Sequence, residues 1–247
     1  MRIGVFGDSF SSYLTPNGYN FQNNFWVDLL SNKHNVTNHS LSGTNLYWSY
    51  NMLEKYASNY DIALLTVTSP YRFYIPHADS HRVQHAFNIN QVERLLAEGT
   101  TKFTRKDFAI LTILQGFMLK VQNHEQDALH HLLLVEQIKR QFPNVILIPT
   151  MHGCLNPRTL FTHGTVDKIT TMGDIGFIDL EYYNMKWEDM TMDIRPGHMS
   201  SENNVIFSEE ILKYLESDRT NTFTIDLSLY KKPTISKNEF IERYFTL

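Results

Sequence analysis

Residues 61–68 read DIALLTVT, an apolar run with no polar face. A strand of that kind has to be covered on both sides, the situation of a parallel sheet flanked by helices. Val145–Pro149 (VILIP) is a second such run, and Arg2–Phe6 (RIGVF) is a shorter one that stops at Gly7-Asp8-Ser9. Between the strands the hydrophobic period changes. Phe25, Trp26, Leu29 and Leu30 recur at helical spacing, which predicts an amphipathic helix over residues 20–31. Leu46, Tyr50, Leu53 and Ala57 mark a second helix, preceded by a weak strand over residues 36–41 that ends at Ser42-Gly43. Residues 125–141 form a third, with Leu129, Leu132, Leu133, Glu136 and Arg140 dividing into two faces. A short strand is expected over residues 176–180. Ser201–Leu215 is the last clear helix, apolar at Val205, Ile206, Ile211, Leu212 and Leu215. Strands alternating with helices predict an α/β domain with a parallel sheet and helices on both faces.

The 247 residues suffice for one α/β domain of generous size. Residues 70–123 are too many for an ordinary connection. They are expected to form an insertion or lid, partly helical around residues 91–98, within a domain spanning residues 1–216. Residues 217–247 form a C-terminal extension, in which TFTIDLSLY alternates as a strand would. A hydrophobic content of 42% excludes a disordered chain. A net charge of −4 disfavours a nucleic-acid partner, which usually demands a basic surface. The single cysteine, Cys154, excludes an intrachain disulfide framework and a CxxC zinc site. No apolar stretch is long enough to span a membrane, and the opening MRIGVFGDSF reads as a first strand, not a signal peptide. The expectation is a cytoplasmic protein.

Three segments carry candidate chemistry. Gly7-Asp8-Ser9-Phe10 follows the first strand, and open parallel sheets build sites at the carboxyl ends of their strands. A serine there projects a hydroxyl into the cleft; the plainer reading makes Asp8 and Ser9 turn residues. Ser42-Gly43-Thr44-Asn45 follows the second strand, where a glycine exposes backbone N–H groups suited to a developing oxyanion. His198, in DIRPGH before the last helix, sits where a loop histidine can approach a serine on strand one.

In this order the three segments resemble the SGNH hydrolase superfamily, also called GDSL-like lipases and esterases. The first motif stands here as Gly7-Asp8-Ser9-Phe10, with phenylalanine where the name-giving motif has leucine. The second is Ser42-Gly43-Thr44-Asn45, and the last is the histidine of RPGHMSSENN. The resemblance spans residues 1–215. It implies a flavodoxin-like, three-layer α/β/α sandwich around a five-stranded parallel sheet, and an acyl-ester hydrolase. Ser9 would be the nucleophile and His198 the base, since an unassisted hydroxyl attacks poorly at neutral pH. The Ser9 and Gly43 N–H groups would face the carbonyl oxygen, with no metal or organic cofactor.

The chain departs from that pattern twice. Where the family has Gly-x-Asn-Asp after the third strand, this chain has Thr68-Ser69-Pro70-Tyr71, and Pro70 in the asparagine slot cannot donate a hydrogen bond. Arg72 is the nearest substitute donor, for the oxyanion or for an acidic group on the substrate; otherwise it is a surface arginine. The position three before His198 holds Arg195, so the expected acid is Asp193, five before it, brought near by the Arg195-Pro196-Gly197 turn. Asp8, Asn45, Tyr71 and His152 are the expected substrate contacts, His152 because it follows VILIP at its carboxyl end. His77, His81 and His85 recur every four residues but are read as a solvated or lid-lining face, not a zinc site. His130-His131 are read as incidental, and Cys154 as a buried or cleft-side thiol. Tyr71, Phe73 and Tyr74 form an acyl or sugar platform, or pack the insertion. The expected function is a serine esterase acting on a small acyl ester, such as an O-acetyl group on a carbohydrate. An acyltransferase using the same acyl-enzyme and a non-catalytic binding protein are the alternatives.

Overall fold

The two apolar runs become adjacent strands whose residues are all buried, β3 (Ile62–Val67) and β4 (Val145–Pro149). β1 (Arg2–Phe6) lies on the other side of β3, and β2 (Asn35–Asn38) forms the edge beyond it. The order is β2-β1-β3-β4 and every pairing is parallel, with Ile3 opposite Val36 and Ile62, and Ala63 opposite Val145. The computed structural model describes residues 1–12, 25–72, 75, 77–79, 89–99, 102–150, 154–155, 171–172, 199–217 and 222–230.

The five-stranded sheet expected from the resemblance is corrected here: among the described residues the sheet has four strands. The strand expected over residues 176–180 lies outside the described residues. The place beyond β4 is touched by the start of the C-terminal extension, where Thr222 bridges Leu147 in parallel and the Phe223 N–H donates to the Leu147 carbonyl at 2.9 Å. The Asp226 N–H turns to Glu210 Oε1 at 2.8 Å, and the Asp226 side chain caps a 3₁₀ turn over Leu227–Leu229.

Alternate strand residues enter two cores, as the period of a pleated strand requires. Ile3, Val5, Ile62, Leu64, Ile146 and Ile148 pack with Trp26 and Leu30 of α1 (Trp26–Ser31) and with Phe207 and Ile211 of α6 (Ser201–Leu215). Phe6, Ala63, Leu65, Val67, Val145 and Leu147 pack with Leu46 and Leu53 of α2 (Leu46–Tyr56) and with Val135 and Ile138 of α5 (His124–Gln141). Within residues 70–123 lie α3 (Ile89–Ala97) and α4 (Arg105–Lys120), which share a small core of Ala78, Val92, Leu95, Phe103 and Leu111.

Four of the described helix starts follow from N-cap side chains, which satisfy amides left open in a first turn. Asn45 accepts from the Trp48 N–H, Thr104 from Asp107, Asn123 from Glu125 and Gln126, and Ser200 from Asn203. The buried face of α5 is Ala128, His131, Val135 and Ile138, while Leu129 and Leu133 are exposed. Two of its leucines thus point outward, while His131 lies on the face that meets the sheet side. No described helix is long and apolar enough to cross a membrane.

Candidate active site

After β1 the chain crosses to β2 on one side and returns as β3 on the other, so β1 and β3 flank the point where the strand order reverses. Open α/β sheets bind ligands at that point, outside the carboxyl ends. Gly7-Asp8-Ser9 leaves β1 there. Gly7 has φ +140°, a conformation that L side chains rarely adopt, and an added Cβ would lie 1.8 Å from Thr66 Oγ1. Glycine is therefore required both by the turn and by the approach of β3.

The turn is held on every side. Asp8 Oδ1 accepts the Phe10 N–H at 3.1 Å, and the Asp8 carbonyl accepts the Ser11 N–H at 3.1 Å. Ser11 Oγ and Thr66 Oγ1 are 2.7 Å apart. Trp26 Nε1 donates to the Phe10 carbonyl at 2.9 Å. Across the β1–β3 crevice, Asp8 Oδ2 accepts from Thr68 Oγ1 at 2.8 Å and from Arg72 Nη1 at 2.7 Å. Ser9, between these anchors, is buried.

The second segment is stitched to the first. The Leu41 N–H and the Thr44 hydroxyl donate to the Gly7 carbonyl at 3.1 and 3.3 Å, and Thr44 also bonds Leu41 at 2.8 Å. Gly43 sits in this turn with φ +83°, so it too occupies backbone space that favours glycine. Asn45, expected to meet substrate, uses its side-chain oxygen to cap α2 on the Trp48 N–H at 3.0 Å.

Arg72 and Asn45 both line a cavity of about 410 Å³ beside these turns. Tyr47, Pro70 and Leu134 supply apolar wall, and Asp127, His130 and Gln137 of α5 supply polar groups. Tyr71 stands edge-on to His124, ring centroids 4.9 Å apart, and burial together with the Asp127 charge raises its phenol above the usual range.

His131, expected to be incidental, also borders the cavity. It is buried, with Nε2 2.6 Å from the Cys154 carbonyl just beyond β4. Burial lowers its pKa to about 4, against the partial support of the carbonyl contact. The signal was present in the sequence: His131 is three after Ala128 and four before Val135, the spacing of one helix face. Thr68 was also missed; its mark is a hydroxyl at the carboxyl end of an otherwise apolar strand. Cys154 is buried, as read.

The structure thus brings together Asp8, Ser9, Gly43, Asn45 and Arg72 at the ends of β1, β2 and β3. His152, Asp193 and His198 lie outside the described residues, as do Phe73, Tyr74, His81 and His85. Met199, which follows His198, is buried in the same cluster as Phe10, which follows Ser9.

No family model matches this chain, and no curated protein matches it. Among solved structures, the chain is similar to a protein assigned to the G-D-S-L family of lipolytic proteins from Desulfitobacterium hafniense DCB-2. The identity is 14%, over 84% of this chain and 95% of that one, with a TM-score of 0.36. It is also similar to the acetyl xylan esterase AlAXEase, at 11% identity over 86% of this chain and 98% of the other, with a TM-score of 0.33. These likenesses are distant, and the chemistry of the site is read from its own residues.

Proposed function

We propose that the protein is a serine esterase of the SGNH type, with the three-layer α/β/α arrangement that this type implies. The observation that carries this is the Gly7-Asp8-Ser9 turn. It stands at the carboxyl end of β1, where the strand order reverses, and is hydrogen-bonded to the Gly43 turn through the Gly7 carbonyl. This geometry supports a reading in which Ser9 is the nucleophile and the Ser9 and Gly43 amides, at adjacent strand ends, are the oxyanion donors.

In the proposed reaction His198 takes the Ser9 proton as Ser9 Oγ attacks the ester carbonyl. Asp193 orients the imidazole and balances the imidazolium charge. The Ser9 and Gly43 N–H groups hold the oxyanion. Collapse expels the alcohol, which takes its proton from His198, and water then releases the acid from the acyl-enzyme. The cavity lined by Asn45, Tyr47, His130 and Gln137 takes the alcohol part of the substrate. The Tyr47 ring and the Asn45 and Gln137 amides in its wall suit a sugar carrying a small acyl group such as acetyl.

The test is a series of p-nitrophenyl esters from acetate to octanoate, on the wild type and on Ser9→Ala. Short-chain preference and a loss of about 10⁴-fold or more in kcat for the variant are expected. Activity of Ser9→Ala within tenfold of the wild type refutes the nucleophile. Adding a sugar acceptor and analysing products separates hydrolysis from acyl transfer.

A further inference from the structure

Beside Ser9 in the chain stands the buried carboxylate of Asp8. Its side chain is 1% exposed and that of its partner Arg72 is 9% exposed. Both carboxylate oxygens accept. Oδ1 takes the Phe10 N–H, closing a ring across the backbone of Ser9, and Oδ2 takes Thr68 Oγ1 and Arg72 Nη1. The loop that carries Arg72 is itself folded on Ser69: the Arg72 N–H donates to the Ser69 carbonyl at 3.4 Å, and the Tyr71 N–H to Ser69 Oγ at 3.3 Å. An unbroken chain of contacts therefore runs from the end of β3 through Arg72 and Asp8 to the peptide that bears Ser9.

We propose that Asp8 and Arg72 form one positioning unit, in which Arg72 works through Asp8 to hold the Ser9 turn and is not itself an oxyanion donor. The inference rests on the reading of Ser9 as nucleophile. A buried carboxylate is stable only when paired and hydrogen-bonded. Without the guanidinium, the Asp8 carboxylate loses its ion pair and turns toward water, which weakens its hold on Phe10 or Thr68. A misplacement of about 1 Å at the reacting group can cost about 10²-fold in rate. Pro70 stands where the family pattern has an asparagine, and the Arg72–Asp8 pair links β3 to the nucleophile turn by a different route.

The experiment is a double-mutant cycle with Asp8→Asn, Arg72→Gln and the combination, read by kcat and KM on p-nitrophenyl acetate and by hydrogen exchange at the Phe10 amide. An asparagine has one acceptor oxygen, so it cannot serve Phe10 and Arg72 together. Each single variant is expected to lose about 10² in kcat with KM within threefold, and the combination to lose no more than the worse single. Exchange at Phe10 should rise at least about tenfold in Arg72→Gln, although that side chain does not touch Phe10. If the losses multiply to about 10⁴ in the combination, Arg72 acts on the reacting oxygen by itself and the proposal falls. Singles with kcat within threefold of the wild type make the pair merely structural and also overturn it. If a single variant fails to fold, the combination, which removes both charges, is compared with the wild type; a full-rate combination refutes the proposal. Fluorophosphonate labelling of the wild type and the rate of Ser9→Ala check the nucleophile separately. Should those fail, the Phe10 exchange decides alone, and unchanged exchange in Arg72→Gln overturns the unit.

Discussion

Replacing Gly7 by alanine tests how tightly the nucleophile turn is built. The new Cβ would lie 1.8 Å from Thr66 Oγ1, 2.8 Å from Ser11 Oγ and 2.9 Å from the Thr66 carbonyl oxygen. None of these can retreat easily. Thr66 is on central strand β3, and its hydroxyl is bonded to Ser11 at 2.7 Å and to the Phe6 carbonyl at 3.4 Å. A non-glycine residue at φ +140° costs about 1–3 kcal/mol in backbone strain. Overpacking adds about 1–3 kcal/mol, and loss of the Ser11–Thr66 bond about 1 kcal/mol. The expected destabilisation is therefore about 3–7 kcal/mol against a typical total of about 5–15. Urea unfolding should show a lower midpoint at unchanged m. Gly7→Ala/Thr66→Ala should be more stable than the sum of the singles by about 1–2 kcal/mol, because the closest clash is gone while the strain and the 2.9 Å contact remain. A loss under about 1 kcal/mol in Gly7→Ala would refute both the strain and the packing argument.

Three further outcomes follow from the site and its supports. If His198 is the base, kcat/KM falls at acid pH with an apparent pKa of about 6–7, and His198→Ala removes that limb with most of the rate; a flat profile from about pH 5 to 8 points to His152 instead. For His131, with a pKa of about 4 when folded against 6.5 ordinarily, the unfolded chain binds the proton more readily. Its contribution to stability is full above pH 6.5 and is lost as the pH falls from there toward 4, by up to about 3 kcal/mol. Urea unfolding at several pH values should show a shallower acid loss in His131→Gln, and an unchanged slope refutes the assignment. Asn45→Ala removes the cap of α2 and should cost about 1 kcal/mol, with Tm as the readout; no change in Tm would mean that the cap is replaced by water.

What the amino-acid sequence determined by itself was the part of the fold written in local periodicity. β4 and α6 have the bounds their patterns predict, Val145–Pro149 and Ser201–Leu215, because an apolar run and a Ser200 cap are short-range signals. α5 starts at His124, one residue before the predicted boundary, because the Asn123 side chain reaches the first free amides. Gly7-Asp8-Ser9 was legible as a turn at a strand end, since glycine at such a position narrows the backbone choices. The rest depended on which surfaces meet. Period alone left α5 with leucines on two sides; contact with the sheet-side core chose the face of Ala128, His131, Val135 and Ile138 and left Leu129 and Leu133 outside. The strand alternation in TFTIDLSLY could not say that Thr222 would meet Leu147, or that Glu210 would accept the Asp226 N–H. Most of all, Asp8 and Arg72 are 64 positions apart, and no spacing rule pairs them. Their contact exists because β1 and β3 lie side by side in a register that sets Phe6 opposite Leu65, so that the residues following each strand converge on one crevice. Hydrogen bonding across that crevice is a property of the sheet, and only the tertiary structure decides it.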